Sequence, residues 1–344
     1  MIAPYVPSIK RAVDVKANSV RIMASPYANV HVLPVIAGFV GADGVADVLA
    51  SGIYEMSNVC LLVDMGTNGE VFVGNQEDIV SCSCAAGPAF EGMHIKYGMK
   101  ASTGAIEKLK IIPDTYDVEY ETIDGTEPTG ICGSGIIDAV AELFKNRVIN
   151  ERGGFNKNIQ TSRLRYSNEA EFVIAWKDET KLESDITISR KDIQEIQLAK
   201  AAIHTGAVAL MWKKNLTDHD LDQVYIAGGF GRYINVESAR LIGLIPDVPT
   251  EKISFIGNTA ISGAKMALIS RETRETAQRL STKIRYVELM ADPNFRREFL
   301  DSIFLPHRNI MRYPTVARNF ENTNSGLKAE KNKDYSQYSE KAQI

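Results

Sequence analysis

Leu61-Leu62-Val63-Asp64-Met65-Gly66-Thr67-Asn68-Gly69-Glu70 is the stretch on which the fold turns. Three aliphatic residues end at an aspartate, and small residues follow at once, so a buried strand runs into a tight turn. Such a turn presents backbone N–H groups and short side-chain donors in a concavity suited to phosphate oxygens. Asp64 at the strand end suits a magnesium ion held through water, because Mg²⁺ usually takes one or two carboxylates plus phosphate oxygens. The plainer alternative is that Asn68-Gly69 only closes a hairpin. Working outward, residues 59–64, 70–74 and 79–84 alternate with turn residues, as an antiparallel meander requires.

The whole chain sets the frame. It has 344 residues, 24% charged and 44% hydrophobic, with 25 Gly and 12 Pro. That length allows one large domain or two ordinary ones, and a core that needs no disulfide or metal. Lys+Arg 39 against Asp+Glu 43 leaves a net charge of -4, with no basic field for nucleic acid or a membrane surface. The most apolar stretch, 30–42, falls short of the roughly 20 residues of a spanning helix, and residues 1–7 contain no apolar signal region. Cys60, Cys82, Cys84 and Cys132 show no Cys-x-x-Cys spacing, which fits reduced buried thiols. Cys82 and Cys84 alternate along one strand and share a face. A cytoplasmic protein is expected.

Elsewhere, Gly38, Gly41 and Gly44 fall three apart within 36–49, which predicts a helix with a glycine side for close packing. Gly130-Ile131-Cys132-Gly133-Ser134-Gly135 opens a helix with Ile136, Val140, Leu143 and Phe144 on one face. It is either an anion site at a helix start or, the favoured reading, close helix–sheet packing. Ser189 with Asp192 marks the start of a helix running to about Lys214. Strands at 224–227 and 253–256 lead into Gly228-Gly229-Phe230-Gly231 and Gly257-Asn258-Thr259. From Thr315 onward the chain is polar enough to predict disorder. The order implies an α/β protein, a mixed sheet with helices on its faces.

Two further segments join the candidate site. In Ala85-Ala86-Gly87-Pro88-Ala89-Phe90-Glu91-Gly92, small residues around a proline leave room for a ligand, and Glu91 could orient water or metal; a rigid loop with a solvated Glu91 reads equally well. Gly228-Gly229 at a strand's carboxyl end lets a flat ring lie on bare backbone. The histidines show no ligand spacing, and His204 reads as a mid-helix core or surface residue.

Together, 64–70, 86–92, 130–135, 227–231 and 257–260 resemble the carboxy-terminal domain of reductive activators of corrinoid-dependent proteins. That family lies within the superfamily of acetate and sugar kinases, Hsp70 and actin. The resemblance runs from about Pro4 to about Pro314. It implies an actin/Hsp70-like, ribonuclease H-like sheet with a complete second lobe over 58–314, and the end of a first lobe with a connecting helix over 1–57. It also implies ATP and Mg²⁺ as cofactors. On that template Asp64, Gly66, Thr67, Asn68 and Gly69 form the second phosphate motif, joined by Gly87. Gly228, Gly229 and Phe230 form the adenosine motif, and Gly263 lies in the second connecting helix. Asp64 and Glu91 are the implied catalytic residues.

Family members use ATP to drive reduction of Co(II) corrinoid to Co(I), with an iron–sulfur cluster as donor. This chain has no cysteine before Cys60 and no Asp-x-Gly-Thr-Thr in 1–35, so the resemblance implies that the cluster and first phosphate motif are supplied elsewhere. A corrinoid protein, an iron–sulfur donor and a second copy of the chain are the expected partners. A docking or dimerisation module, or a small-molecule kinase of the superfamily, are the alternatives.

Overall fold

The computed structural model describes residues 6–166, 169–229 and 234–322. The chain enters through a hairpin, β1 (Val13–Lys16) and β2 (Asn29–Val32), and a helix, α1 (Ala42–Ser51). The meander follows as β3 (Cys60–Met65), β4 (Gly69–Gly74) and β5 (Ile79–Cys84). An excursion comprises β6 (Ala105–Ile111), β7 (Val118–Thr122) and β8 (Gly130–Ile131), leading into helix α2 (Gly133–Lys145). A second small sheet, β9 (Leu164–Tyr166), β10 (Ala170–Ala175) and β11 (Ile186–Ser189), delivers the long helix α3 (Arg190–Lys213). The remainder alternates as β12 (Gln223–Ala227), α4 (Val236–Ile242), β13 (Ile253–Gly257), α5 (Thr259–Ile269), α6 (Arg271–Lys283), β14 (Arg285–Tyr286), α7 (Phe295–Ser302) and α8 (Pro314–Asn322).

The central sheet has the order β13-β12-β3-β4-β5-β14. β13, β12 and β3 are parallel, β3, β4 and β5 antiparallel, and β14 is parallel to β5. This is the mixed sheet that the sequence implied. Successive side chains of a strand point to opposite faces, so β3 feeds two cores at once. Leu61 and Val63 join the core beneath α2 and α3, while Cys60 and Leu62 join the one beneath α1 and α6.

α3 starts where the sequence put it. Ser189 Oγ accepts the Asp192 N–H at 3.1 Å and Asp192 Oδ2 accepts the Ser189 N–H at 2.8 Å, a reciprocal cap. The glycines opening α2 serve packing: a Cβ at Gly135 would stand 2.3 Å from the Ile106 carbonyl oxygen.

Two expectations are corrected. The first helix begins at Ala42, not near Ile36, with Gly41 as its N-cap. Ahead of it, the N–H groups of Ile36 and Ala37 both donate to the Val40 carbonyl, so a turn takes up Gly38 and Gly41. Only Gly44 of the three lies in the helix, and it faces β4, where its Cβ would lie 3.0 Å from Phe72 Cζ. The second correction concerns the polar end. Residues 314–322 form α8, whose Val316 is buried and whose Phe320 ring meets Phe144 edge-on at 5.0 Å. Two apolar anchors at helical spacing suffice there despite polar neighbours. Residues 323–344 lie outside the described part.

Candidate functional site

The site is built where β3, β12 and the loop after β5 end side by side. Met65 pairs with Gly69, leaving Gly66-Thr67-Asn68 as a three-residue turn closed by the Gly66 N–H on the Asn68 carbonyl at 3.0 Å. Thr67 and Asn68 are exposed at its tip, and Asp64 is half-buried at its root. Thr67 Oγ1 donates to Glu91 Oε1 at 2.9 Å, so two residues 24 apart in sequence meet. Glu91 ends a short 3-10 turn, Pro88–Glu91, which follows Gly87 at φ 76°. Among the described residues, no atom lies within 4 Å of where a Gly87 Cβ would be.

β12 arrives in register, Ala227 against Asp64. Gly228 then adopts φ 117°, and a Cβ there would stand 2.5 Å from the Met65 carbonyl oxygen and 3.2 Å from Asp64 Oδ1. Only glycine allows the two strand ends to lie this close. The Gly228 N–H donates to the Gly257 carbonyl at 3.0 Å, tying this turn to the one before α5. Among the described residues, nothing lies within 4 Å of the Gly229 Cβ position. Phe230 lies outside the described residues. The structure thus brings Asp64, Gly66, Thr67, Asn68, Gly69, Gly87, Glu91, Gly228 and Gly229 to one end of the central sheet.

Sequence reasoning missed three acids around Asp64. Asp43 lies in the first turn of α1 and accepts the Gly44 N–H at 2.9 Å. Asp47, one turn further, is wholly buried, and its Oδ1 accepts the Thr259 hydroxyl at 2.6 Å. Glu70 stands opposite Asp64 across the β3–β4 ladder and accepts the Ser83 hydroxyl at 3.2 Å. Burial, followed by the charge of Asp64, pushes the Asp47 carboxyl up to about 9. Burial, then Asp43 and Asp64, lifts Glu70 to about 7. Asp64 itself is raised by burial and by Asp43, although its hydrogen bond with Asp47 opposes the shift. The detectable signal for Asp47 was a charge in the middle of the apolar run Val45-Ala46-Asp47-Val48-Leu49.

Carboxyl groups held near one another and away from water resist ionising together. A divalent cation relieves that repulsion, and among the described residues the one neighbour of Asp47 Oδ2 is another carboxyl, that of Asp64. Together with the open glycine turns on either side, the residues present fit a cation and an attached phosphate chain.

Another buried carboxylate differs in kind. His204 Nε2 and His307 Nε2 lie 3.5 and 3.4 Å from Glu298 Oε1, a grouping with the make-up of a metal site. Its donor set is wrong for one. The Asn309 N–H donates to His307 Nδ1 at 3.0 Å, which leaves the proton of the neutral ring on Nε2, aimed at Glu298. The Arg312 guanidinium pairs with the same Glu298 oxygen. Hydrogen bonds from His204 and His307, and the charge of Arg312, outweigh burial and hold Glu298 well below the usual carboxylate range. The four cysteines are buried; Cys82 and Cys84 share a face, with sulfurs 3.9 Å apart beneath Gly206 of α3.

The fold and site define a lobe of the acetate and sugar kinase, Hsp70 and actin type. Residues 58–317 match the family model described as the C-terminal domain of RACo, the ASKHA domain, and residues 1–56 match the RACo middle region. The chain belongs to this family of corrinoid reductive activators. It is similar to the corrinoid activation enzyme RamQ of Eubacterium limosum, 36% identical over 307 residues, covering 87% of this chain and 51% of the relative. It is also similar to the [Co(II) methylated amine-specific corrinoid protein] reductase of Methanosarcina barkeri, 28% identical over 75% of this chain and 47% of that one. A solved reductive activator for corrinoid, iron–sulfur protein superposes with a TM-score of 0.88 at 38% identity, over 92% of this chain and 50% of that one. The chain thus spans about half the length of the relatives it matches. Among the described residues, no helix is long and apolar enough to cross a membrane.

Proposed function

We propose that this chain is the ATP-binding part of a cytoplasmic reductive activator that couples ATP to reduction of Co(II) corrinoid to Co(I) in a corrinoid protein. The observation that carries the proposal is the meeting of Asp64 with the glycine turns at Gly87 and Gly228-Gly229 at one end of the sheet. In this reading Gly66, Thr67, Asn68, Gly69 and Gly87 hold the phosphates, and Gly228, Gly229 and Phe230 hold the adenosine. Asp64 holds Mg²⁺ through water. Glu91, fixed by Thr67, aligns the water or phosphate in front of it. Bound ATP supplies the free-energy difference between open and closed lobes, so nucleotide energy reaches the corrinoid protein as a change in affinity.

Residues 58–314 would form the second lobe and 1–57 the end of the first with its connecting helix. The remaining phosphate motif and an iron–sulfur electron donor come from a partner domain or protein, and the assembly is a homodimer. Titration calorimetry with MgATP, followed by Co(II) to Co(I) absorbance changes with a corrinoid protein and a reduced iron–sulfur donor, tests this. ATP-dependent loss of the Co(II) signal is expected. Corrinoid binding indifferent to nucleotide would instead mark a docking module.

A further inference from the structure

Asp47 is wholly buried, and its carboxylate faces two ways. Oδ1 takes the Thr259 hydroxyl at 2.6 Å, while Oδ2 has no partner of ordinary hydrogen-bond geometry and its carboxyl neighbour is Asp64. Buried polar atoms are normally satisfied by a donor, so an oxygen that meets only a second carboxyl beside the candidate cation site calls for a reason.

Its surroundings supply one. α1 and α5 touch backbone to backbone next to Asp47, where a Cβ at Gly263 would lie 2.1 Å from the Ala46 carbonyl oxygen. Thr259 is the first residue of α5. Two residues earlier, the Gly257 carbonyl accepts the Gly228 N–H, and Gly228 abuts Asp64 Oδ1. Asp64 is therefore joined to the start of α5 by two short routes, one through Asp47 and Thr259 and one through Gly228 and Gly257. An aliphatic residue at position 47 would fill the space without linking anything.

Resting on the nucleotide reading above, we propose that Asp47 is a positioning residue that ties Asp64 to Thr259, so that Mg²⁺-nucleotide bound at Asp64 is registered at the α1–α5 crossing. The link is a contiguous one of the kind that carries energetic coupling between sites. Asp47 adds no chemistry of its own. It fixes the direction of the Asp64 carboxylate and passes the restraint to the helix.

The test compares amide hydrogen exchange across α5, with and without MgATP, in the complete two-lobed assembly carrying the wild-type chain or its Asp47→Ala, Asp47→Asn or Thr259→Val variant. In the wild type, MgATP is expected to slow exchange in α5 by about tenfold or more. Asp47→Ala and Thr259→Val are expected to lose that protection, beyond any fall in MgATP affinity measured by calorimetry on the same samples. Asp47→Asn is expected to keep it, because the amide still accepts from Thr259 and can donate to Asp64. If Asp47→Ala fails to fold, Thr259→Val decides. Wild-type protection of α5 in Thr259→Val would overturn the link while leaving the nucleotide reading intact. No response to MgATP in the wild type would remove the nucleotide reading and this link with it.

Discussion

Two clusters of carboxylate chemistry, each built around a buried carboxyl, Asp47 in one and Glu298 in the other, sit in this molecule and behave oppositely. At the end of the central sheet, Asp43, Asp47, Asp64 and Glu70 crowd together, and burial with mutual repulsion lifts Asp47 to about 9 and Glu70 to about 7. Behind α3, Glu298 is just as hidden, but two imidazoles and the Arg312 guanidinium surround it and its carboxyl is held low. The second cluster already holds a cation against its carboxylate, with the two imidazole Nε2 atoms 3.4–3.5 Å away. The first would be balanced by something positive joining it, and this marks it as the candidate cation site and the other as a brace.

The brace also explains how the C-terminal segment is held. Lys200, fully buried on α3, donates to the carbonyls of Phe304 and Pro306 at 2.5 and 2.6 Å, and Gln197 Nε2 reaches the Ile303 carbonyl at 2.9 Å. Tyr313 OH meets His204 Nδ1 at 3.1 Å. Glu298→Ala removes the anion and strands Arg312, His204 and His307. A loss of about 3–5 kcal/mol is expected, the usual result of breaking one side of a buried ionic group. Thermal unfolding should show the midpoint several degrees lower; an unchanged midpoint would mean that the brace carries no stability.

The opposite signature belongs to the sheet-end cluster. Asp64→Ala and Gly229→Val are expected to weaken nucleotide binding by about 100-fold or more in a complete two-lobed assembly, equivalent to about 2.7 kcal/mol, while leaving the unfolding midpoint near that of the wild type. Among the described residues nothing lies within 4 Å of a Gly229 Cβ, so a valine there is expected to obstruct what would lie on that backbone. Unchanged affinity in both variants would refute the phosphate and adenosine assignments.

Stability against pH separates the clusters further. Glu70 is raised in the fold, so its favourable contribution is complete below its unfolded value near 4.5 and is lost as pH rises through about 7. His204 is lowered to about 4, chiefly by burial, so its contribution is complete above about 6.5 and is lost as pH falls toward 4. Glu70→Gln should therefore stabilise the Mg²⁺-free protein at pH 8 by about 1–2 kcal/mol, after discounting for solvent at a half-buried group, and leave it unchanged near pH 4.5. Denaturant unfolding at the two pH values checks this, and equal stability of variant and wild type at pH 8 would show that Glu70 is not under electrostatic strain.

The sheet-end cluster was partly legible from the chain, and the brace was not. The strand-aspartate-turn pattern at 61–70 announces itself locally, because strand, turn and polar side chain are neighbours in sequence. Gly228 and Gly87 were found for the same reason, each being a glycine at the end of an apolar run. Asp47 and Thr259 meet across 212 positions, and nothing local to either names the other. The brace joins position 204 to 298, 307, 312 and 313 through a coil whose path only tertiary packing fixes. The misplaced start of α1 has a related origin: glycine spacing alone cannot tell a helix side from a turn closed on the Val40 carbonyl.

The smallest expected effect tests whether the brace stands alone. α8 packs Phe320 against Phe144, and the Thr315 N–H reaches Asp247 Oδ2 at 2.7 Å, just beyond Tyr313 of the brace. If α8 clamps the brace shut, Phe320→Ala should lower stability and also shrink the acid limb, because water reaching His204 would bring its folded value back toward 6.5. If the brace is self-sufficient, as the Arg312 guanidinium paired with Glu298 implies, Phe320→Ala should lose only the edge-on pair and its half-buried area, about 1 kcal/mol, at every pH. Denaturant unfolding of the variant between pH 4 and 7 distinguishes the two, and the expected outcome is a curve parallel to that of the wild type.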